Sequence, residues 1–517
     1  MAKIPRAALL IVVTAGLASL LEIVDTSIVN VAIPTMMGNL GATLDEISWV
    51  VTGYIIANAI ILPLAGWLAV RLGRRRYYVG CIGIFTVASV ACGFAPNLMT
   101  LVLFRVVQGL AGGALLPTSQ ALIQEAFPPE DVGMASAIYG MVVIIGPTIG
   151  PPLGGYLTDH FGWRSIFNVN LPLGILAAMM ALANVQDFKV EKGSKHHAVS
   201  THPIDTWGLA FLVTAIGCLQ FVLERGQADD WFSSGAIFIN TVLAVGAAVA
   251  FVWWELRVKY PIVDLRLFKK PILKFGVMMM GALGFILYGL IFFVPIFCAT
   301  NLGLTATETG LLFIPGALAS GFSMPVVGAL LRKYEPRRLA AVGVLVVCTT
   351  LGMLAFSSSQ TGTGDLFVPL LVRGFAMAFL FVPLNAAVLG SFSGPTVGQV
   401  AGITNLARQL GGSLGIAVLS TLFNREVVRG YGEMMGRVSP LNINYRAGMA
   451  LHGTAMQLGM GTPAQMAAKA AWARVQRQAF VQGFDHMMWF MVFAFSLALI
   501  PLYFLRAPAH LGPVDAH

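Results

Sequence analysis

Residues 62–76 read LPLAGWLAVRLGRRR, and residues 324–338 read MPVVGALLRKYEPRR. The two align without a gap at an offset of 262: Pro63 falls on Pro325, Gly66 on Gly328, Arg71 on Lys333, and Arg75-Arg76 on Arg337-Arg338. Apolar segments often look alike by chance, but a basic cluster in the same register after each is not a hydropathy coincidence. A looser echo sets Gln108-Gly109 … Pro117 against Arg373-Gly374 … Pro383. The chain therefore carries a duplicated unit in parallel orientation. Such a repeat predicts two similar bundles about an axis along the membrane normal, with a substrate cavity between them at mid-membrane.

The surrounding composition fits a membrane setting. Of 517 residues, 57% are hydrophobic and 11% charged, and the mean hydropathy is +0.80. Soluble domains carry roughly 25% charged residues, so this chain cannot solvate a globular surface. Soluble enzymes and disordered tails are excluded. The net charge of +9 points to membrane topology rather than to nucleic acid. The five cysteines (Cys81, Cys92, Cys218, Cys298, Cys348) form no C-x-x-C pair and lie in apolar stretches, where a thiol acts as a small hydrophobe.

A helix needs about 20 apolar residues to cross the hydrocarbon. Fourteen runs qualify: 8–34, 48–70, 77–95, 98–120, 133–157, 165–184, 206–224, 235–257, 273–298, 307–331, 338–358, 366–390, 402–422 and 486–506. The first is too long for a signal peptide and carries two acids, so it is kept as a span. With both termini on one side, the termini and short loops of that side hold twenty Lys and Arg, against Arg164 and Arg225 on the other. The bias places both termini in the cytoplasm.

The prediction is an all-α integral membrane protein of 14 transmembrane helices, in two pseudo-symmetric six-helix bundles plus an inserted pair. Residues 1–184 form the N-terminal bundle, 185–205 a cytoplasmic linker, 206–257 the inserted pair, and 273–506 the C-terminal bundle. His196, His197 and His202 in the linker have no acid or Cys spaced to complete a metal site. No metal or cofactor is expected. Residues 423–485 form a long loop before the last span, external and periplasmic in this orientation. Within it Thr462 is a plausible N-cap and Pro463 a first-turn residue, Trp472, Val475, Ala479 and Phe480 form one apolar stripe, and Gly483 is a stop.

A charge at the bilayer centre costs about 2.5–3.5 kcal/mol on insertion scales. The first span nevertheless holds Glu22 and Asp25 on one helical face. Asp25 lies about four residues past that span's midpoint, ~6 Å toward the outside. The fourth span runs the opposite way, and Arg105 lies four residues before its midpoint, at matching depth. The two can pair. A carboxyl beside a guanidinium gives up its proton readily, and one facing an apolar cavity keeps it. Rocking halves that alternate Asp25 between those settings would couple transport to protons, with Glu22 sharing the proton or meeting a cationic substrate. The alternative is a static pair that fixes helix packing. Asn30, Gln108, Arg373, Phe292, Phe293 and Phe381 are candidates for lining the cavity. Arg373 either attracts anionic substrates or hydrogen-bonds to nearby carbonyls. Arg408 is expected near the cytoplasmic end of its helix, with its head group reaching the interface.

The fifth span reads Gly146-Pro147-Thr-Ile-Gly150-Pro151-Pro152-Leu-Gly154-Gly155. Small residues permit close helix approach and prolines bend the helix, which suits an interface between moving halves.

VDTSIVNVAIP (24–34), GWLAVRLGRRR (66–76), FRVVQGLAGG (104–113) and the GP-x-x-GP-x-x-GG run together resemble the fourteen-span drug:proton antiporters of the major facilitator superfamily, closest to the EmrB multidrug exporters. DDWFSS (229–234) and PIVDLRLF (261–268) add to the likeness, which spans the whole chain. The resemblance implies a role in proton transfer for the basic fourth span, and gating by the signature loop with Gly66, Arg71, Gly73, Arg74 and Arg75. It also implies an antiporter helix built on the fifth-span run. There are departures: Val70 stands where the loop's acid is usual, Pro151 replaces a glycine, and Glu22 is an extra carboxylate.

The function expected is proton-coupled efflux of hydrophobic or amphipathic toxic compounds by alternating access, from a bacterial inner membrane. The resemblance further implies a periplasmic adaptor, docked at the external loop, and an outer-membrane channel. The alternatives are export of one specific metabolite, such as a siderophore or fatty acid, and a non-transport membrane protein. Enzyme signatures are missing, with no H-E-x-x-H and no G-x-S-x-G, and no G-x-x-x-x-G-K-[ST] supplies ATP. The partners expected are protons, lipophilic small molecules and membrane lipids.

Overall fold

The computed structural model describes residues 6–128, 131–187, 204–435 and 463–505. Among them there is no strand, and fourteen helices are long and apolar enough to cross a membrane. They are α1 (Ala8–Leu40), α2 (Leu44–Leu72), α3 (Arg74–Gly93), α4 (Leu98–Ala126), α5 (Val132–Phe161), α6 (Ser165–Asn184), α7 (Thr206–Arg225), α8 (Gly235–Glu255), α9 (Pro271–Leu302), α10 (Thr307–Leu330), α11 (Pro336–Leu354), α12 (Thr363–Leu389), α13 (Pro395–Met434) and α14 (Trp472–Phe504). The protein is a multi-pass membrane protein. The linker histidines and Thr462 lie outside the described residues.

Local sequence sets the helix starts. Thr43 and Glu46 close a capping box on α2, and Thr305 and Glu308 do the same for α10. Asn97 caps α4 by accepting from the Thr100 amide at 2.9 Å. Gly73 turns the chain between α2 and α3 at φ +86°, a conformation that favours glycine. α4 is interrupted after Gly112, and its second segment begins at Leu115 with Pro117 in the first turn.

Two apolar clusters lie wholly within the first six helices and their flanks, and a third joins residues of α1, α4 and α5 to α9–α14. α5 lies between α1 and α10, and α2 meets α13. The repeated loops lie at the end of the molecule that carries the basic clusters. There Gly66 packs against the Gly398 and Gln399 backbone, and a Cβ on Gly328 would come within 2.9 Å of the Gly133 carbonyl. The matched glycines of the repeat thus do the same work, each seating its helix on a helix of the other half. α7 and α8 pair with one another, and α7 also contacts α2 and α13.

The expected loop at 423–485 needs correction. The helix of α13 runs on from Pro395 to Met435, and that of α14 starts at Pro463 and passes through Gly483 to Ser496. These polar extensions hold each other: Tyr431 stacks on Trp472 at 6.0 Å, and His486 Nδ1 lies 2.8 Å from Glu426 Oε2. Hydropathy marks only the stretch that suits lipid, not the full helix.

Candidate functional site

Asp25 and Arg105 meet inside the N-terminal half, where neither is more than 1% exposed. The guanidinium Nη1 is 2.5 Å from Asp25 Oδ2. Asp25 Oδ1 accepts from Gln108 Nε2 at 2.9 Å and from Asn170 Nδ2 at 2.9 Å. Every partner of the carboxylate is a donor. Arg105 in turn donates through Nε to the Val50 carbonyl at 3.1 Å and through Nη1 to Gln108 Oε1 at 2.7 Å. Its guanidinium lies over the Tyr54 ring at 4.1 Å, a favourable contact for a desolvated cation. Helices α1, α2, α4 and α6 therefore converge on one ion pair. Gln108 belongs to this pair rather than to an open cavity wall. Asn170, which carries the site's fourth helix, went unremarked in the sequence because an amide barely alters hydropathy.

Glu22, one turn earlier on α1, has separate partners. Oε1 accepts from Asn58 Nδ2 at 2.8 Å, and Oε2 from the Leu116 amide at 3.2 Å. That amide is free because α4 is interrupted just before it, so the carboxylate caps the start of the second segment, where anions are favoured. Asn30 is exposed and donates to the Thr26 carbonyl of its own helix.

A second polar cluster crosses between the halves. Gln120 on α4 donates to Asn385 on α12 and accepts from Asn405 Nδ2 on α13 at 2.7 Å. Arg408 Nη2 donates to Asn405 Oδ1 at 2.8 Å. Arg408 is buried, not at an interface as expected. Its helix starts at Pro395 rather than 402, which sets it ~20 Å along α13. Phe381 is buried beneath Tyr139 of α5 at 6.3 Å, and Phe293 is buried against Phe423 at 5.7 Å. Both sit in packed core, whereas Phe292 is exposed.

The signature loop is tied down without an acid at position 70. Arg74 pairs with Glu125 of α4, and the Arg75 amide donates to Asp187 Oδ1 at 2.9 Å. Arg71 lies 5.5 Å from the Trp67 ring centroid. Asp131 and Arg332 add a salt bridge between the halves at the same end.

α5 is one continuous helix through Pro147, Pro151 and Pro152. Gly146, Gly150 and Gly154 face Ile23, Ser27 and Ile28 of α1 so closely that a Cβ at any of them would clash. Gly155 approaches Thr307 of α10, and Pro152 fills the space at Gly310. One face of α5 is thus keyed to the helix that bears Asp25, and the other to the opposite half.

Arg373 on α12 is half-buried, lies 4.6 Å from the Phe313 ring centroid, and leaves Nη1 buried without a hydrogen-bond partner. Among the described residues no carbonyl accepts from Nη1.

The chain matches the Major Facilitator Superfamily over residues 15–416. It is 32% identical over 499 residues to the multidrug export protein EmrB of Escherichia coli (strain K12), covering 96% of this chain and 95% of that protein. It is 34% identical over 446 residues to the fatty acid resistance protein FarB of Neisseria gonorrhoeae, covering 86% and 85%. Two solved structures share the fold. The proton:xylose symporter XylE has a TM-score of 0.60 at 15% identity, covering 97% of this chain and 96% of that one. The human organic anion transporter MFSD10 has a TM-score of 0.60 at 14% identity, covering 95% and 100%.

Proposed function

We propose that this chain, which belongs to the Major Facilitator Superfamily, couples export of hydrophobic and amphipathic compounds to proton entry through Asp25 and Arg105. That it is kin to multidrug exporters rests on similarity along nearly its whole length. The coupling rests on the buried pair itself. An ion pair sealed from water on four helices is costly in lipid, and a cycle that separates and re-forms it gives that cost a purpose.

In this state the halves are shut at the basic-loop end by the Gly66–Gly398 and Gly133–Gly328 contacts. α5 is keyed to α1 on one face and to α10 on the other, so in this reading rocking is passed through α5 to α1, which shifts within its own half against α2, α4 and α6. If Asp25 leaves Arg105, Gln108 and Asn170, it loses three donors and takes a proton. On return it gives the proton up and Arg105 resumes its place. Glu22 is held by Asn58 and the Leu116 amide and is the second carboxylate on the route. The inner membrane of a bacterium, with both termini cytoplasmic, suits this reading. The paired extensions of α13 and α14 then project on the periplasmic side and offer an adaptor a surface that leads to an outer-membrane channel. The kinship to a protein named for fatty acid resistance keeps export of a single lipid-like metabolite as the second reading.

The test is proton release from inside-out vesicles on addition of a panel of lipophilic compounds. The native chain should dissipate the pH gradient with several compounds, and Asp25→Asn and Arg105→Ala should not at matched expression. A fully active Asp25→Asn refutes the coupling. A response to one compound alone favours the second reading.

A further inference from the structure

The repeat that organises the fold extends to single contacts between α4 and α12. In the N-terminal half, a Cβ on Gly109 would meet the Tyr54 carbonyl of α2; in the other half, one on Gly374 would meet the Gly316 carbonyl of α10. Tyr54 and Gly316 are separated by the same 262 positions as Gly66 and Gly328. Gln108 and Arg373, each just before its glycine, are therefore structural counterparts. Their surroundings differ in one respect. Gln108 meets a carboxylate, Asp25, supplied by α1. Arg373 meets none, because α9 carries no acid from Pro271 to Leu302, and Asp365, the acid nearest along α12, is engaged with the Gly362 amide.

We infer that Arg373 is the receptor for the anionic head of an amphipathic substrate, a small-molecule carboxylate with an apolar tail. The half of the repeat that lacks a built-in carboxylate receives one from the ligand. The guanidinium is backed by Phe313, and its Nη1 is enclosed by protein without a hydrogen-bond partner among the described residues. A planar guanidinium fork binds a carboxylate through two parallel hydrogen bonds. Depth excludes a lipid phosphate. Arg373 lies ten residues into the 27-residue α12, about 5 Å from its midpoint, deeper than a phosphate reaches into a hydrocarbon layer about 30 Å thick. Phe313, Leu370 and Met377 belong to one buried apolar cluster, and the tail enters beside it when the halves part.

The assignment deepens the export reading and is tested apart from it, by equilibrium binding to the purified full chain in lipid nanodiscs with no gradient present. The probes are dodecanoate, methyl dodecanoate and dodecyltrimethylammonium at pH 8. The native protein should bind dodecanoate more tightly than its methyl ester. Arg373→Met should weaken dodecanoate by about ten- to a hundredfold, the worth of hydrogen bonds to a charged group, and leave the ammonium within about twofold, which also shows the variant folded. Arg373→Lys keeps the charge and loses the fork, and should retain part of the preference. It carries the test if the Met variant is not recovered. A native protein with no preference for dodecanoate over the ester, or a variant that keeps the preference intact, overturns the assignment. Neither result bears on proton coupling, which Asp25→Asn reports separately.

Discussion

The pairing of Asp25 with Arg105 makes a quantitative prediction about stability that does not depend on transport. Replacing one member of a buried ion pair leaves the other charged and desolvated, a loss of about 3–5 kcal/mol, whereas replacing both with neutral groups is often near neutral. Hydrogen bonds between neutral groups in membrane bundles average only ~0.6 kcal/mol and reach ~1.7. In the structure, Arg105→Met would strip Asp25 of its cation and leave it Gln108 and Asn170. It would also orphan the Val50 carbonyl. Asp25→Asn would leave a guanidinium with the Tyr54 face and two neutral acceptors. The double variant should therefore be more stable than the sum of the singles by more than ~1.7 kcal/mol, beyond what neutral bonds supply. A second cycle, Asp25→Asn with Asn170→Ala, should couple less strongly. The assay is reversible unfolding in mixed dodecyl maltoside and sodium dodecyl sulfate micelles. Exposure of the buried thiols Cys81, Cys92 and Cys298 to a fluorogenic maleimide serves as the readout. Additive losses for Asp25 and Arg105 would refute the argument that this pair, rather than general packing, sets the cost of the site.

Two further outcomes are expected. Gly66→Leu places a side chain against the Gly398 and Gln399 backbone, which cannot give way as a flexible side chain would. Closure at the basic-loop end should fail, with export falling at least about tenfold and cysteines introduced along that seam labelled faster from the basic-loop side. Gln120→Ala removes both the bond to Asn385 and the one from Asn405, so the seam between halves should weaken by about 1–3 kcal/mol for the buried partners left unpaired, read as a lower unfolding midpoint.

The number of spans was legible from sequence because lipid imposes a length of apolar chain that few soluble elements match. Their ends were less so. α13 and α14 outrun their apolar stretches because each finds the other outside the hydrocarbon, as the Tyr431–Trp472 stack shows, and hydropathy is blind to a helix stabilised by a partner. The same misjudged start placed Arg408 too near an end. Asp25 and Arg105 could be matched by depth alone, since charges in a span are rare enough to seek each other. Asn58, Asn170, Gln120, Asn385 and Asn405 could not. Amides are tolerated at many points in such helices, and which of them meet depends on helix rotation, which hydropathy does not encode. The glycines of the fifth span permit close approach, but only packing shows which partner each one admits.

The pair α7 and α8 is no detachable extra. α7 is bound to both sides of the seam. Arg225 reaches Ser48 at 3.0 Å on α2, while Gln220 and Glu224 both engage Ser413 of α13, at 2.6 and 2.8 Å. Trp231, just beyond α7, donates to Thr421 at 3.1 Å. Excising 206–257 would therefore do more than shorten the protein to twelve helices. It would turn Ser413 and Thr421 toward hydrocarbon and strip the far end of α2 of its cation. The rest of the fold leans on this pair, so a twelve-helix version would need compensating apolar changes on α13 before it could fold.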